Sequence, residues 1–524
     1  MCSQHGPRPR ETRKSLVPNE SPSPSGITRR GFLGGLTAGA AVLPLVSTAQ
    51  PGIGAEAEAG LPKGKSIRVL PALVYHLETP QEKTSWRSYG EVSNPAAVEA
   101  EAARVAKDLQ DLAARAGFPI EMLPVALVKD EAGAQAAAAT DADLLVMFAA
   151  GGSGPMYQIL AASPAAPVMF IRHKTRPYYL WHEIAHWRFL RRNEDSTVEP
   201  NMTADDIVTD DYNELLWRMR AVYGLKNAKG TKMLAIGSLA AYSEPGQRLG
   251  PGHARDAWDY AIEIVPREEF ARRLDEARAD SRVMEAAERR TRAFLERPGV
   301  TLQTERRFVV NSFLALGVCE DLLREKGASN FGFDLCMGRP VIEMLDTPPC
   351  LILALANDEG YTAYCHTDLT HTCAGVLLRW IAGKPTFVCN THFPHDGLFT
   401  VAHCAAPMRM SGTAYDPVTI LTHYESDYGA ASQVHYPLGQ TVTVVIPNLH
   451  CTKWQGFRGT IVETPSLPAC RSQMNIEVDG DRRALLKEME GFHAQVVYGD
   501  YLKETGYALR RLGKLEWRNF SETA

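Results

Sequence analysis

The 524-residue sequence lacks three features that define common classes of protein. It has no excess of basic residues, since 56 Lys and Arg stand against 61 Asp and Glu for a formal net charge of −5. This balance argues against a nucleic-acid-binding protein, which needs a large basic face. It contains no Cys-x-x-Cys pair, which excludes zinc-ribbon and thioredoxin-like sites. After the first 49 residues there is no stretch of 18 uncharged apolar residues, so we expect no membrane span in the mature chain.

The first 49 residues have the pattern of an export signal. The segment Thr28-Arg29-Arg30-Gly31-Phe32-Leu33 precedes a short apolar run rich in Gly and Ala, and Ser47-Thr48-Ala49 offers a small-residue cleavage site. Paired arginines before a short hydrophobic segment are typical of signals read by the twin-arginine translocase. The sequence therefore predicts a signal peptide over residues 1–49, a linker over 50–65 and a periplasmic or otherwise extracytoplasmic protein.

Nine of the ten cysteines lie between Cys319 and Cys470, within the predicted mature chain. Because nine is odd, at least one thiol must be free, bound to a metal or bridged to another chain. We expect most of these cysteines to be buried thiols, and the sequence is also compatible with one or two disulfides.

Two regions in which strands alternate with helices predict two Rossmann-like α/β domains, over residues 66–175 and 176–383. The predicted strands are Ser66–Val74, Ile120–Val128, Asp143–Ala149 and Pro167–Ile171 in the first region, and Lys232–Ile236, Ala261–Val265 and Phe331–Cys336 in the second. From residue 384 to 524 short β-rich runs are separated by Gly, Pro and Asp. This pattern predicts an antiparallel, barrel-like C-terminal domain, with a closing helix over Tyr501–Leu512.

Polar side chains recur at the ends of short apolar runs between Pro349 and Pro407. We interpret Cys350–Ala356 as a buried strand, and a second strand ends on His366 and Asp368. Two further runs end on Asn390 and His403. Open α/β folds place their sites at the carboxyl ends of strands, so this stretch is predicted to form the floor of an active site.

A separate motif supports a competing hypothesis. The helix-compatible sequence His182-Glu183-Ile184-Ala185-His186 matches the pattern of zinc peptidases, in which two histidines four residues apart bind zinc and the glutamate acts as base. Such sites need a third ligand, and only Glu194 or Asp195 lies nearby in sequence. The alternative interpretation is a crossover helix with two surface or interface histidines.

Seven short motifs follow one another between residues 357 and 500. They are Asn357-Asp358-Glu359-Gly360, Cys365-His366-Thr367-Asp368, Gly383-Lys384-Pro385-Thr386-Phe387, Ala402-His403-Cys404, Thr422-His423-Tyr424-Glu425-Ser426, Cys470-Arg471-Ser472-Gln473, and His493 with Tyr498-Gly499-Asp500. In this order they resemble the L-fucose isomerase and L-arabinose isomerase superfamily, over roughly residues 310–512. The resemblance implies two α/β domains followed by a β-barrel-like domain, and a closed homo-oligomer.

The resemblance also implies an aldose–ketose isomerase built around a divalent metal, usually Mn²⁺. In that chemistry the metal holds two adjacent sugar oxygens, and a carboxylate moves a proton between neighbouring carbons. The implied ligand positions are His366, Asn390 and His493. The first two are carboxylates in the family, so this chain departs from it and its catalysis should be altered or lost. Histidine can act as a base near neutral pH, and we therefore predict a catalytic set of His366, oriented by Asp368, with Asn390.

Further side chains are candidates for binding a sugar or polyol. They are Asp358, Glu359, His403, His423, Glu425 and Tyr498. A carbohydrate-binding relative that has lost the metal and its catalysis is the alternative to the isomerase.

Overall fold

The computed structural model describes residues 61–87, 89–179, 201–335 and 338–522. The predicted signal peptide, most of the predicted linker and the motif containing His182, Glu183 and His186 lie outside these ranges. The described residues belong to one compact unit, Glu58–Ala524. Within them, no helix combines the length and the apolar character that crossing a membrane requires.

The first layer is a parallel sheet. Its strands are β1 (Ile67–Val74), β2 (Ile120–Met122), β3 (Ala126–Val128), β4 (Leu144–Ala149), β5 (Ala166–Ile171) and β6 (Ile207–Thr209), connected in part by helices α1 (Pro95–Ala114), α2 (Glu131–Ala138) and α3 (Gly154–Ala161). The order is β2-β1-β4-β5-β6, and β3 also pairs with β1. Every residue of β4 is buried, as expected for a parallel strand covered on both faces. Because β6 pairs with β5, the first sheet continues past the predicted boundary at residue 175.

The second layer is a four-stranded parallel sheet with the order β11-β10-β7-β8. Its strands are β7 (Lys232–Ile236), β8 (Ala261–Val265), β10 (Asn330–Phe333) and β11 (Thr362–Cys365). The helices of this part of the chain are α4 (Tyr212–Ala228), α5 (Glu244–Trp258), α6 (Arg267–Ala279), α7 (Ser281–Leu295), α8 (Arg306–Lys326), α9 (Arg339–Leu345), α10 (Cys350–Asp358) and α11 (Leu369–Ala382).

The predicted strand Cys350–Ala356 is wrong, because this segment is helix α10. All nine residues of α10 are buried, so the helix shows no alternation between an apolar and a polar face. A short apolar run of this kind cannot be distinguished from a buried strand by periodicity alone.

The C-terminal region forms a closed antiparallel barrel of six strands, ordered β16-β19-β12-β13-β18-β17 and closed by pairing of β16 with β17. The strands are β12 (Phe387–Thr391), β13 (Leu398–His403), β16 (Thr441–Pro447), β17 (Lys453–Glu463), β18 (Ser472–Asp479) and β19 (His493–Tyr498). Strand β20 (Glu516–Asn519) extends this sheet beside β17, and helices α12 (Arg482–Glu488) and α13 (Leu502–Leu512) accompany it. A small separate sheet contains β9 (Val300–Leu302), β14 (Val418–His423) and β15 (Tyr428–Val434). The predicted fold class, two parallel α/β layers followed by an antiparallel barrel, is confirmed.

Helix α11 joins the second layer to the barrel. The side-chain nitrogen Nε2 of Gln495 in β19 donates to the carbonyl oxygen of His371 in α11 over 3.1 Å. Trp258 at the end of α5 stacks on Trp454 in β17, with ring centroids 5.3 Å apart and an interplanar angle of 11°. These contacts fix the carboxyl end of β11 against one rim of the barrel, where several polar side chains predicted from the sequence meet.

Candidate metal centre

The site begins at a sharp change of chain direction after β11. His366 has a φ of 59°, in the left-handed region that a non-glycine residue seldom occupies. The neighbouring strand allows this because it carries Gly332, where a Cβ atom would lie 2.5 Å from the His366 carbonyl oxygen. The next residue, Thr367, donates from its hydroxyl to the Ser238 carbonyl over 2.8 Å and accepts from the amide of Ala240 over 2.6 Å. The turn is thereby fixed to the loop that follows β7.

Asp368 is the N-cap of helix α11. Its Oδ1 accepts from the amide of Thr370 over 2.9 Å and from the Thr370 hydroxyl over 2.6 Å, and its Oδ2 accepts from the amide of Tyr242 over 3.2 Å. A carboxylate has about four lone-pair positions, so these three bonds leave capacity for a cation. His371 follows three residues later and lies on the same side of the first helical turn.

The third group comes from the barrel. His493 is the first residue of β19 and pairs directly with Asn390 of β12. Its ring lies 5.0 Å from that of His371, centroid to centroid. One ligand atom each from Asp368, His371 and His493 lie within 4.8 Å of one another, and all three residues are buried. Ligands of one divalent ion, each at about 2.0–2.2 Å from it, lie at most roughly 4.4 Å apart, so a small adjustment would bring these three groups to coordination distance.

The electrostatics of the two histidines also suit a metal. Among the described residues, neither ring nitrogen of His371 nor the Nδ1 of His493 has a hydrogen-bond partner. Burial lowers the pKa of His371, although Asp368 opposes this shift. Burial also lowers the pKa of His493 well below its ordinary value, and repulsion from His371 and His403 adds to the effect. Both rings are therefore neutral at pH 7, which is the form that coordinates metals.

The donor set fits a divalent transition metal. Two imidazoles and one carboxylate suit Zn²⁺, Fe²⁺ or Mn²⁺, and three protein ligands leave further coordination positions for water or substrate. Unpaired buried nitrogens are costly, and coordination would remove that cost. This set shares only His493 with the predicted ligands His366, Asn390 and His493. Asp368, which the sequence predicted to orient a catalytic base, is a candidate ligand here.

A cavity of about 280 Å³ adjoins these groups. It is lined by Tyr242, Cys350, Cys365, His366, Asn390, His403, Cys404, His423, Glu425, Cys470, Phe492 and His493. The structure thus brings together six of the residues predicted from the sequence: His366, Asn390, His403, His423, Glu425 and His493. Tyr242 is 54% exposed and stacks on Phe492 with ring centroids 4.3 Å apart, which places an aromatic pair where the cavity meets solvent. Cys365 takes part in a disulfide.

Three predicted sugar-binding residues lie outside this cavity. Asp358 is 1% exposed at the end of α10, and its Oδ1 accepts from the amides of Met408 and Arg409 over 2.9 and 2.8 Å. Glu359 forms an ion pair with Arg290 over 2.6 Å. The Tyr498 hydroxyl donates to Asp416 over 2.9 Å. These side chains serve contacts within the protein, which the sequence motifs did not distinguish from contacts with a ligand.

His371 was missed as a candidate ligand. It belongs to none of the seven motifs, and its relation to Asp368 depends on the helix beginning at Leu369, with Asp368 as its N-cap. The available signal was the Asp-x-x-His spacing at a helix start, which places both side chains on one face.

No protein-family model matches this chain, and no curated protein matches it at a significant level. The resemblance to the L-fucose and L-arabinose isomerase superfamily therefore remains a prediction from motifs.

Proposed function

We propose that the protein is a metal-dependent enzyme acting on a sugar or polyol, with aldose–ketose isomerisation as its reaction. The observation that supports this proposal most strongly is the buried set of Asp368, His371 and His493 beside a cavity rich in histidine. When bound there, a divalent metal would supply Lewis-acid polarisation of adjacent substrate oxygens.

Other cavity residues have chemistry suited to a polyhydroxylated ligand. His403 accepts from the amide of Ala405 on its Nδ1 over 3.1 Å, so the neutral ring carries its proton on Nε2. Burial lowers the pKa of His403 to about 4, which keeps the ring in this neutral form at pH 7. Its Nε2–H can then donate to a substrate hydroxyl. The Tyr242–Phe492 pair, in which Tyr242 is exposed, offers an apolar surface for the carbon face of a sugar.

Glu425 is assigned the proton transfer between neighbouring carbons in this proposal. It contributes a carboxylate to the cavity lining, and a carboxylate is the usual base for a carbon-bound proton next to a polarised carbonyl. His366 lines the same cavity and, as the base predicted from the sequence, is the alternative group for this transfer. Exchange of the transferred proton with solvent would accompany the reaction.

The proposal is tested with protein loaded in turn with Mn²⁺, Fe²⁺, Co²⁺ and Zn²⁺ and incubated with a panel of aldoses in D₂O. We expect ketose formation and incorporation of deuterium next to the carbonyl, both followed by NMR and both abolished by a chelator. Glu425→Gln should retain the metal and lose deuterium exchange, whereas His366→Ala should retain both if Glu425 is the base.

Metal content of variants separates the two ligand sets. His371→Ala should lose the metal, while Asn390→Ala should keep it; the opposite result would favour the ligands implied by the motifs. His395→Ala changes an exposed loop histidine and serves as the control. Metal binding with stabilisation by sugar but no exchange would indicate a carbohydrate-binding protein. Loss of zinc only on changing His182→Ala would favour the peptidase.

A further inference from the structure

A second group of reactive side chains lines the same cavity. It consists of the thiol cluster Cys350, Cys404 and Cys470, together with His423. These residues come from four separate segments, at the start of α10, after β13, before β18 and at the end of β14. None of them belongs to the candidate metal centre, and neither the proposed isomerisation nor the predicted ligand set uses a thiol.

Cys404 is the centre of this cluster. Its sulfur accepts from the amide of Arg471 over 3.4 Å. The thiols of Cys350 and Cys470 and the ring of His423 line the same cavity. Donor groups close to a sulfur atom favour its thiolate, the reactive form of cysteine.

The three thiols differ in pKa as this arrangement requires. Interaction with Cys350 and Cys470 lowers the pKa of the Cys404 thiol well below its ordinary value although burial opposes this shift, and His423 contributes to the lowering. The side-chain interaction with Cys404 raises the pKa of Cys350 and of Cys470, and burial and the charge on Cys404 add to this effect. By contrast, burial raises the pKa of Cys451, a half-buried thiol outside the cluster, to about 11.

The position of Cys470 complements that of Cys404. Cys404 is only 2% exposed and reaches ligands through the cavity, whereas Cys470 is half-buried in the loop that precedes β18. Cys350 is held in the first turn of α10 and is 4% exposed. The loop position gives Cys470 more freedom than Cys350 to approach Cys404 to bonding distance.

We propose that Cys404 is a nucleophilic thiol that reacts with low-molecular-weight disulfides entering the cavity, and that Cys470 resolves the adduct. In the first step the Cys404 sulfur attacks one sulfur of the small disulfide, forming a mixed disulfide and releasing one small thiolate. Cys470 then loses its proton and attacks the Cys404 sulfur, forming a Cys404–Cys470 disulfide and releasing the second thiolate. Two protein thiols are oxidised and one small disulfide is reduced to two thiols, which take up the protons.

The test uses the full chain after mild reduction and removal of the reductant, with oxidised glutathione as the probe. We expect the wild type to lose two titratable thiols without retaining glutathione, and peptide mapping to join the segments that contain Cys404 and Cys470. Cys470→Ser should stop at a glutathione adduct on Cys404, and Cys404→Ser should form neither product. Cys451→Ser is the matched control and should behave as the wild type.

A measurement on the wild-type protein tests the proposal without relying on the folding of the variants. Brief treatment with a substoichiometric amount of iodoacetamide should label Cys404 before the other thiols, as read by peptide mass. Labelling of Cys451 first, a disulfide newly formed on treatment that omits Cys404, or a Cys470→Ser protein that retains no adduct would each overturn the proposal; the disulfide of Cys365 is present beforehand and is not counted. These readouts do not depend on bound metal or on turnover, so they fail independently of the proposed isomerase activity.

Discussion

Replacing Asp358 by Asn should stabilise the protein increasingly as the pH rises. Burial raises the pKa of Asp358 from 3.8 to about 8, against the opposing hydrogen bonds from the amides of Arg409 and Met408. Its Oδ2 lies buried without a hydrogen-bond partner among the described residues. Between pH 3.8 and 8 the folded chain therefore keeps a proton that the unfolded chain releases, and the stability contributed by Asp358 is lost as the pH rises through this window.

The size of the effect follows from that window. From pH 5 to pH 8, at about 1.36 kcal/mol per pH unit, the wild type should lose about 4 kcal/mol that the Asp358→Asn variant does not lose. For a folded unit spanning Glu58–Ala524, an unfolding entropy of about 2.1 cal/mol/K per residue corresponds to about 1 kcal/mol/K. The difference in melting temperature between the variant and the wild type should therefore increase by about 4 °C from pH 5 to pH 8, in favour of the variant.

Calorimetry of both proteins at pH 5 and pH 8 measures this gain. Asp321→Asn, which changes an exposed carboxylate on α8, is the control and should show no comparable trend. A constant difference across the pH range, or a variant that loses stability relative to the wild type towards pH 8, would refute the reasoning. Asp358 would then have to be ionised in the folded protein and paired with a cation.

Two further substitutions test how the layers are held together. Asp206 is fully buried and accepts from Arg510 over 2.8 Å and from Arg511 over 2.5 Å. Asp206→Asn removes the carboxylate that both guanidinium groups share, leaving Arg510 with the exposed Asp205 at 3.6 Å, and should cost about 3–5 kcal/mol in urea unfolding. A cost below about 1 kcal/mol would contradict this. Gly375→Ala in α11 should destabilise by about 1–3 kcal/mol, because its Cβ would overlap the Tyr364 hydroxyl oxygen, whereas the control Gly317→Ala in α8 meets nothing within 4 Å and should stabilise by up to about 1 kcal/mol.

The bounds of a parallel strand were predictable where a turn residue directly follows the strand. Lys232–Ile236 and Ala261–Val265 occur at their predicted bounds, since each is a short apolar run ended by Gly237 or Pro266. Helix α10 was not predictable in this way, because its burial on all sides removes the periodicity that distinguishes helix from strand. The barrel class followed from short β-runs between turn residues, but its closure depends on pairing of β16 with β17, which no local pattern specifies.

The candidate site was predictable in location and less so in detail. Strand-end positions placed His366 and Asn390 at the cavity, and motif order added His493. The role of His371 depends on α11 meeting β19, a tertiary contact between segments far apart in the chain. The same limit applies to Asp358, whose place in the interior follows from the packing of α10 and not from its sequence neighbours.

The origin of the three candidate ligands has a consequence for when a metal can be acquired. Asp368 and His371 belong to α11 and its N-cap, but His493 is supplied by one of the last strands of the barrel. During synthesis the emerging chain thus holds an incomplete set of ligands until β19 has been made and has joined the sheet. Metal would be captured by the nearly complete fold, and if the predicted twin-arginine leader carries the folded protein across a membrane, the ion would be drawn from the compartment of synthesis and not from the destination.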